Sequence, residues 1–354
     1  MNSKVIILTT QPQEQTVTRI NTNKPEVRHA NILSACPSDQ THCEVHFVNQ
    51  VLTSDILKSL DVHNPLMIDY LQHCYESFKA NPDRNYDFLE NGVVPYTFNK
   101  SIVSDSTIAK LDYWKQAGIW GKDVMSPIFE QTWQTALESA NNCYLAKDYV
   151  SKSGGEVVYC LNIYPGHHAS YNTYGGYCFL NNGAICAKSL QSNGFRKIVI
   201  LDLDHHAADG TAQIFISDND VTTVSIHANP ELDYPFYEGY IDENTKQNIN
   251  FVFGNNEQNY LQLVTQAMNI INYQTYDVLI IAFGGDTYKN DPDASDFCKC
   301  GLDIEDYYKI GQFIKSQVTD RPIIVTQEGG YDVTNIHKIV WSFMEGLSQY
   351  NSSN

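Results

Sequence analysis

Residues 197–211 read Lys-Ile-Val-Ile-Leu-Asp-Leu-Asp-His-His-Ala-Ala-Asp-Gly-Thr. The uninterrupted β-branched and leucine run at 198–203 is typical of a strand buried on both faces, as in parallel sheets. Side chains alternate along a strand, so Asp202, Asp204 and His206 point the same way if the strand continues. A carboxylate and an imidazole two residues apart, at the carboxyl end of such a strand, form half of a metal site. A charged surface loop is the alternative interpretation.

The composition indicates a globular protein with an acidic surface. Of the 354 residues, 42% are hydrophobic and 18% are charged, which is enough to bury a large core. The 41 acidic and 23 basic residues give a formal net charge of −18. Nucleic acid is therefore disfavoured as a partner, and a cationic small molecule or a basic peptide is favoured. Solubility alone would also explain the charge.

Cysteine usage and hydropathy predict a cytoplasmic protein. The nine cysteines are an odd number with no Cys-x-x-Cys pair, so we expect a reducing compartment and no disulfide framework. The apolar run near the N-terminus is too short for a signal peptide and is predicted to be the first strand. No run approaches the roughly 20 apolar residues of a membrane span. We expect a soluble protein with no membrane partner.

Strand and helix patterns alternate from about residue 150 onwards. This alternation predicts one α/β domain over residues 1–354, with a parallel sheet covered by helices on both faces. Residues 81–125 form a long irregular segment of the kind that serves as a lid or an interface element. Ser126 followed by Pro127 predicts the start of a helix that runs to about residue 147. The predicted strands cover 156–163, 197–203, 221–226, 277–283 and 322–327, and the predicted helices cover 180–192, 256–273, 303–317 and 333–348.

Chemically active side chains follow four of the predicted strands, at the edge where open α/β folds place their binding sites. The first case is the 197–211 stretch. The others are Tyr-Pro-Gly-His-His at 164–168, Phe-Gly-Gly-Asp-Thr at 283–287 and Glu-Gly-Gly-Tyr at 328–331. Each motif alone is more often structural than functional. Four of them at successive strand ends indicate one site.

Together these motifs contain the parts of a hydrolytic metal site. Asp204, His206 and Asp286 form a ligand set that leaves positions open for water and substrate, as catalytic zinc requires. Two histidines offer acid–base catalysis, and Asp202 and Asp209 are placed to orient them. A tyrosine on a Gly-Gly turn can donate to a developing oxyanion. The parts predict metal-assisted amide hydrolysis, with Zn²⁺ as the favoured metal and Fe²⁺ or Co²⁺ as alternatives.

The same motifs resemble those of the zinc-dependent deacetylase family, which has the arginase–deacetylase fold. The resemblance rests on Tyr-Pro-Gly-His-His-Ala, Gly-Gly-Tyr-Cys-Phe-Leu-Asn-Asn, Asp-Leu-Asp-x-His, Thr-Val-Ser-Ile-His, Gly-Gly-Asp-Thr and Glu-Gly-Gly-Tyr. Within the family, residues 234–243 and 110–133 look most like the acetylpolyamine amidohydrolases. The resemblance covers nearly the whole chain, is weakest over about 11–90, and implies a mostly eight-stranded parallel sheet with helices on both faces.

The resemblance implies a role for each residue of the motifs. His168 would be the general base and acid, oriented by Asp209. His167, paired with Asp202, would supply electrostatic stabilisation, and Tyr331 would hold the tetrahedral oxyanion. One Zn²⁺ per chain would polarise the acetyl carbonyl and the attacking water, bound by Asp204, His206 and Asp286.

The resemblance also implies a narrow acyl channel and a second ion. Gly176 would border the channel, with Tyr177 and either Tyr237 or Phe236 as its aromatic walls. A structural K⁺ lies behind the zinc in the family. Here it would be bound by Asp202, Ser225 and the backbone carbonyls of Asp204, His206 and Ile226.

One departure from the family pattern concerns the metal ligand. The family usually has Asp-x-His-His-Gly, whereas this chain has Asp204-His205-His206-Ala207-Ala208. An ungapped alignment makes His206 the ligand, in agreement with the alternation of side chains along a strand. A shift of one residue would make it His205. We expect His205 to face away from the metal, and no ligand is lost by the replacement of the usual His-Gly.

The substrate is predicted from acidic residues near the mouth of the site. Asp293 follows Asp291-Pro292, where polyamine-selective members of the family carry an acidic gatekeeper; a turn residue after proline is an equal interpretation. The long loop would narrow the site across a homodimer. Asp105 or Asp112 in this loop would add negative charge, with a solvated carboxylate as the alternative for each. A small cationic acetylated amine is the predicted substrate.

Three other functions are compatible with parts of the pattern. A protein or histone lysine deacetylase would use the same chemistry on basic tails. A ureohydrolase shares the fold but needs a second metal and an Asp-x-Asp-x-x-Asp-Pro run, in which Tyr288 here replaces the middle carboxylate. A non-catalytic acetyl-group binder should have lost Tyr331 or a metal ligand, and this chain keeps all of them. We therefore expect an acetylpolyamine deacetylase that works as a homodimer.

Overall fold

Eight strands lie in one parallel sheet in the computed structural model, which describes residues 4–12, 24–37, 43–81, 92–99, 101, 103–152, 154–254 and 260–348. Every pairing between neighbouring strands is parallel. The order across the sheet is β2-β1-β3-β8-β7-β4-β5-β6. The strands are β1 (Val5–Thr9), β2 (Cys43–Phe47), β3 (Val157–Cys160), β4 (Ile198–Asp202), β5 (Val221–Ala228), β6 (Asn248–Phe253), β7 (Val278–Phe283) and β8 (Ile323–Gln327).

The central strands are buried on both faces, as their continuous apolar sequences predict. In β4, Val199 and Leu201 face one hydrophobic core, while Ile198 and Ile200 face the other. Burying one such side chain contributes about 1.5–3 kcal/mol, so a shift of one residue in register would be costly. The predicted fold class, a single α/β domain built on a parallel sheet, is confirmed.

Helices cover both faces of the sheet. One face carries α1 (Pro25–Ser34), α9 (Tyr260–Asn272), α10 (Ile304–Gln317) and α11 (Ile336–Ser348). The opposite face carries α2 (Ser54–Ser59), α3 (Pro65–Lys79), α4 (Asp105–Ile108), α5 (Ala117–Trp120), α6 (Thr132–Leu145), α7 (Asn182–Ser192) and α8 (Asp209–Phe215). Among the described residues, none of these helices is long and apolar enough to cross a bilayer.

The helix predicted to begin at Ser126-Pro127 begins instead at Thr132, so that prediction was wrong. Ile128 forms an antiparallel bridge with Val93, and this pairing extends the backbone ahead of the helix. The Ser126 hydroxyl is also engaged elsewhere, because it accepts a hydrogen bond from the backbone N–H of Tyr177. The sequence pattern also missed the two edge strands β2 and β6, whose polar residues interrupt the apolar run.

The strand order brings the four chemical motifs together. Strands β3, β8, β7 and β4 are consecutive neighbours in the centre of the sheet. Because all four run the same way, the segments that follow them leave the sheet at one edge. The motifs at 164–168, 328–331, 283–287 and 202–209 therefore meet there, although they are up to 167 residues apart in the chain.

Candidate active site

Three ligand-type side chains converge at this edge. Nδ1 of His206 lies 3.2 Å from Oδ1 of Asp204 and 3.3 Å from Oδ2 of Asp286. All three residues are buried, and one ligand atom from each lies within 4.8 Å of the others. Oδ2 of Asp286 is buried and has no hydrogen-bond partner in the described part of the chain. Two buried carboxylates around one imidazole need a cation, and a divalent metal fits this donor set.

Two glycines make room for these carboxylates. A Cβ on Gly284 would lie 2.2 Å from Oδ2 of Asp204 and 2.5 Å from Oδ1 of Asp286. A Cβ on Gly329 would lie 2.3 Å from Oδ2 of Asp286. The Gly329 N–H also donates to Oδ2 of Asp204 at 2.8 Å. The glycines of the Gly-Gly-Asp and Glu-Gly-Gly motifs are thus required because side chains there would occupy the space of the ligands.

Successive backbone hydrogen bonds fix the direction of each side chain after β4. Oδ1 of Asp202 accepts from the N–H of Asp204 at 3.0 Å, and Oδ1 of Asp204 accepts from the N–H of His206 at 2.9 Å. Strand pairing ends at Asp202, so these turns take the place of the continued strand that the sequence suggested. His205 points away from the cluster, and its Nε2 lies 2.9 Å from Oδ2 of Asp233.

Two adjacent buried histidines lie beside the metal-ligand cluster. Nδ1 of His167 is 3.1 Å from Oδ2 of Asp202, and Nδ1 of His168 is 2.6 Å from Oδ1 of Asp209. The two rings are 4.0 Å apart between centroids. The carboxylate of Glu328 accepts from the N–H of Gly166 at 2.5 Å and from that of His167 at 3.1 Å. Each imidazole is therefore held through Nδ1, which leaves Nε2 for other partners.

The two histidines titrate in opposite directions. Burial opposes the charge on His167, but the carboxylates of Asp204 and Asp202 outweigh it and raise its pKa to about 10. A metal cation on Asp204 would act against this shift. Burial, together with the charge on His167, lowers the pKa of His168 to about 3. At neutral pH His168 is thus the imidazole that can accept a proton.

The loop at 92–125 reaches this site through two residues that the sequence analysis missed. The ammonium of Lys122 contacts Oδ2 of Asp209, the carboxylate that also holds His168. Oδ2 of Asp123 accepts from the N–H of Gly176 at 2.7 Å and from the Tyr234 hydroxyl at 2.8 Å. Their partners lie 53 to 111 residues further along the chain, so no local pattern marks either residue.

Asp105 and Asp112, the loop carboxylates singled out from the sequence, lie on the surface. Asp112 pairs with Lys115 at 2.6 Å, and Asp105 stands in the first turn of α4. Among the described contacts, neither Asp105 nor Asp112 touches the metal-ligand cluster or the two histidines.

Aromatic rings flank the histidines and Tyr331. The ring of Tyr234 lies 4.8 Å from that of His168, in edge contact. The ring of Tyr177 lies 5.6 Å from that of Tyr331. Tyr237 is 87% exposed and Phe236 is 49% exposed. Of residues 234–237 it is Tyr234 that packs against the histidine, while the role of Tyr237 or Phe236 as a wall of the channel stays a prediction.

Gly176 lies at the base of these rings. Its φ is +55°, and a Cβ there would lie 2.5 Å from the ring of His168. Both facts require glycine, because another residue would be strained and would push the imidazole out of place.

Two aspartates occupy the segment that follows β7. Oδ1 of Asp293 lies 3.5 Å from the Tyr177 hydroxyl, which brings this carboxylate to the rim of the site. Burial raises the pKa of Asp293. Oδ2 of Asp291 accepts from the N–H of Tyr331 at 2.7 Å and from that of Asp332 at 3.1 Å. Asp291, which the sequence analysis gave no role, thus fixes the backbone that carries Tyr331.

Two of the residues expected around K⁺ are neighbours in the sheet. Asp202 and Ser225 are register partners on the neighbouring strands β4 and β5. Ser225 Oγ lies 2.8 Å from Nδ1 of His227, and Ile226 is buried beside it. Burial raises the pKa of Asp202, so a cation beside this carboxylate would offset its desolvation.

Comparisons with known proteins agree with this geometry. A family model described as the histone deacetylase domain matches residues 24–347. Acetylpolyamine amidohydrolase 2 of Pseudomonas aeruginosa is 32% identical over 282 residues, 78% of each chain. Acetylpolyamine amidohydrolase of Mycoplana ramosa is 28% identical over 296 residues, 82% of each chain. The crystal structure of acetylpolyamine aminohydrolase from Burkholderia pseudomallei superposes with a TM-score of 0.80 at 25% identity, covering 97% of this chain and 98% of that one. The chain belongs to the histone deacetylase domain family and is a hydrolase of the deacetylase class.

Proposed function

We propose that this protein removes acetyl groups from acetylated polyamines in a metal-dependent hydrolysis. The observation that carries the proposal is the buried cluster of Asp204, His206 and Asp286 beside two carboxylate-bound histidines. Similarity to proteins named acetylpolyamine amidohydrolases supports the choice of substrate.

Asp204, His206 and Asp286 would hold one Zn²⁺, with Fe²⁺ or Co²⁺ as alternatives for the same donor set. The metal supplies Lewis acidity, which polarises the acetyl carbonyl and lowers the pKa of an attacking water. His206 would bind through Nδ1, the atom that faces both carboxylates.

His168 is the proposed general base and acid. The hydrogen bond from Nδ1 to Asp209 fixes the tautomer, so a neutral ring presents the lone pair of Nε2 to the attacking water. Burial favours this neutral form, and the Asp209 carboxylate stabilises the imidazolium that forms when the proton arrives. His168 would then return the proton to the departing amine nitrogen.

His167 and Tyr331 would stabilise the charge that develops on the acetyl oxygen and around it. His167, whose Nδ1 is paired with Asp202, would contribute electrostatic stabilisation from a fixed position. Burial raises the pKa of Tyr331, so its hydroxyl keeps its proton and can donate it in a hydrogen bond. The anchoring of the Tyr331 N–H by Asp291 would hold this donor in position before the substrate arrives.

The rim of the site is suited to a cationic substrate. Gly176 and the rings of Tyr177 and Tyr234 would line the path by which the acetylated amine reaches the metal ligands. The carboxylates of Asp293 and Asp123 stand at the outer ends of these rings. A second ammonium group on the substrate would find negative charge there, whereas a neutral peptide backbone would gain nothing from it.

We also propose that the enzyme binds K⁺ and works as a homodimer. Asp202, Ser225 and the carbonyl groups of Asp204, His206 and Ile226 would hold the K⁺.

Dimerisation is supported by the exposed apolar residues of the loops near the site. These are Tyr96, Val124, Met125, Phe236, Tyr237 and Phe297. The molar mass in solution, measured by light scattering, tests the dimer.

A protein lysine deacetylase is the second candidate, because the family model is that of the histone deacetylase domain. The same residues would perform the same hydrolysis on an acetylated lysine tail. A ureohydrolase is disfavoured because Tyr288, at the position of a second-metal carboxylate, is buried and forms an isolated bridge with Leu302.

The test compares kcat/KM for acetylputrescine and acetylspermidine with that for an acetyl-lysine peptide, for wild type and Asp293→Ala. We expect the polyamines to be preferred and the preference to fall about fivefold in the variant, because one partly exposed charge pair contributes up to about 1 kcal/mol. Asp296→Ala is the matched control, since Asp296 is exposed and pairs only with Lys299 among the described contacts. A preference for the peptide in wild type would reverse the assignment, and an unchanged ratio in Asp293→Ala would remove its role.

A further inference from the structure

A second group of metal-ligating side chains lies behind the first. His205, Asp233 and Cys298 are all buried, and one ligand atom from each lies within 4.8 Å of the others. They come from three separate segments, which follow β4, β5 and β7. His205 occupies the variable position of the Asp-x-His motif, where the proposed hydrolysis gives it no role. The cluster combines an imidazole, a carboxylate and a thiol, all of which bind zinc.

The distances within this cluster are close to those of a tetrahedral ion. Nε2 of His205 lies 2.9 Å from Oδ2 of Asp233, which lies 3.6 Å from Sγ of Cys298. Ligands at about 2.0 Å (N, O) and 2.3 Å (S) from a tetrahedral zinc are about 3.3–3.6 Å apart. For these two pairs, shifts of a few tenths of an ångström would admit the ion, and the third pair, His205 and Cys298, lies within 4.8 Å. A fourth position is left for water.

Hydrogen bonds alone leave one donor of this cluster poorly satisfied. Oδ2 of Asp233 faces three groups: the imidazole of His205, the N–H of Ser295 at 2.9 Å and the thiol of Cys298. A carboxylate oxygen has two lone pairs, so the thiol is a surplus third donor, and it is a weak one at 3.6 Å. A cation held between nitrogen, oxygen and sulfur would use all three side chains.

We propose that His205, Asp233 and Cys298 form a second metal site, which takes Zn²⁺ or another thiophilic divalent cation. This site is separate from the one at Asp204, His206 and Asp286. The two are linked through one side chain, because Oδ1 of Asp233 lies 3.9 Å from Nε2 of His206. An ion bound to Asp233 would reduce the negative charge that this carboxylate presents to the His206 imidazole. Filling the second site therefore weakens metal binding at the first.

Co²⁺ distinguishes the two sites by their ligand atoms. The first site has only oxygen and nitrogen ligands, whereas a thiolate on Co²⁺ gives an additional charge-transfer absorption in the near ultraviolet. The metal-stripped full-length protein is titrated with Co²⁺ and the bound metal is counted after removal of the excess. We expect two equivalents and the thiolate absorption in wild type. Cys298→Ser should bind one equivalent and lose that absorption.

Two further variants serve as controls. Cys300→Ser, two residues away, should behave as wild type. His205→Gln should also lose one equivalent, which covers the case that Cys298→Ser does not fold as judged by circular dichroism. One equivalent without thiolate absorption in wild type would overturn the proposal and leave a hydrogen-bonded triad. One equivalent with thiolate absorption would retain the second site and count against metal binding in the proposed hydrolysis, so the two proposals fail separately.

Discussion

Replacement of Lys122 by methionine tests whether the loop controls the acid–base chemistry of His168. The substitution removes the ammonium that contacts Asp209 and keeps an unbranched apolar chain next to the Tyr234 ring. Asp209 is 6% exposed at its side chain and Lys122 is 20% exposed. Removing one partner of a buried pair costs about 3–5 kcal/mol. Because Lys122 is partly solvated, we expect the free energy of unfolding to fall by about 2–3 kcal/mol.

The same substitution should move the pH dependence of catalysis. Lys122 and His168 contact the two oxygens of the Asp209 carboxylate, and the Lys122 charge lowers the pKa of His168. A charge held one carboxylate away contributes on the order of 2–3 kcal/mol at an effective dielectric constant of about 20. An energy of this size moves a pKa by up to about two pH units. Loss of the positive charge raises the pKa of His168. Since His168 has to be neutral to accept a proton, the acid limb of kcat/KM moves to higher pH by about one to two units.

The loss of unfolding free energy in Lys122→Met should also depend on pH. Lys122 lowers the pKa of Asp209 against the effect of burial. A carboxyl group whose folded pKa is depressed contributes stability above its unfolded pKa of about 3.9, and this contribution is lost as the pH falls further. The difference between wild type and Lys122→Met should therefore be constant near neutral pH and shrink below about pH 4.

The assays are urea unfolding and pH–rate profiles on one acetylated amine. Lys122→Arg keeps the charge and should keep the acid limb in place. Lys115→Met removes a pair on the surface of the same loop, with Asp112, and should cost at most about 1 kcal/mol. If Lys122→Met matched Lys115→Met in both assays, the proposed coupling of loop and catalytic base would be wrong.

Two further substitutions test other parts of the site. Tyr331→Phe removes the proposed oxyanion donor and should lower kcat by about 10²–10³ with little change in KM; a variant with unchanged kcat would exclude this role. Gly284→Ala places a methyl group 2.2 Å from Asp204, so we expect loss of the bound metal, measured by elemental analysis, and of activity. Gly183→Ala is its control, because a Cβ there meets only the Asn181 side chain at 3.8 Å. Metal retention in Gly284→Ala would show that the carboxylates tolerate displacement.

The sequence predicted the parts of the site that depend on local pattern. Each motif follows a buried apolar strand, and parallel strands deliver their following segments to one edge, so Asp204, His206 and Asp286 could be grouped without coordinates. The choice of His206 over His205 also followed from the alternation of side chains. The structure shows a different local cause, since turns made by Asp202 and Asp204 replace the strand.

Residues that act through distant partners were not predictable. Lys122 and Asp123 lie in a loop with no regular pattern, and only the folded chain brings them to Asp209 and Gly176. The contact of Tyr234 with His168 was not predictable either, because it depends on how the chain turns near Phe236, where φ is +69°. The helix start at Ser126 was wrongly predicted for a similar reason. The tertiary pairing of Ile128 with Val93 outweighed the local preference of Ser-Pro for a helix N-terminus.

The position of β8 in the sheet has a consequence for synthesis of the protein. β8 is the last of the described strands, yet it lies between β3 and β7 and is the only one of them that joins β2-β1-β3 to β7-β4-β5-β6. A ribosome-bound chain that ends before residue 323 therefore has two half-sheets with no hydrogen-bonded connection. The histidine pair belongs to one half and the metal ligands to the other. The site at this edge of the sheet can therefore be completed only once β8 has joined the two halves, near the end of synthesis.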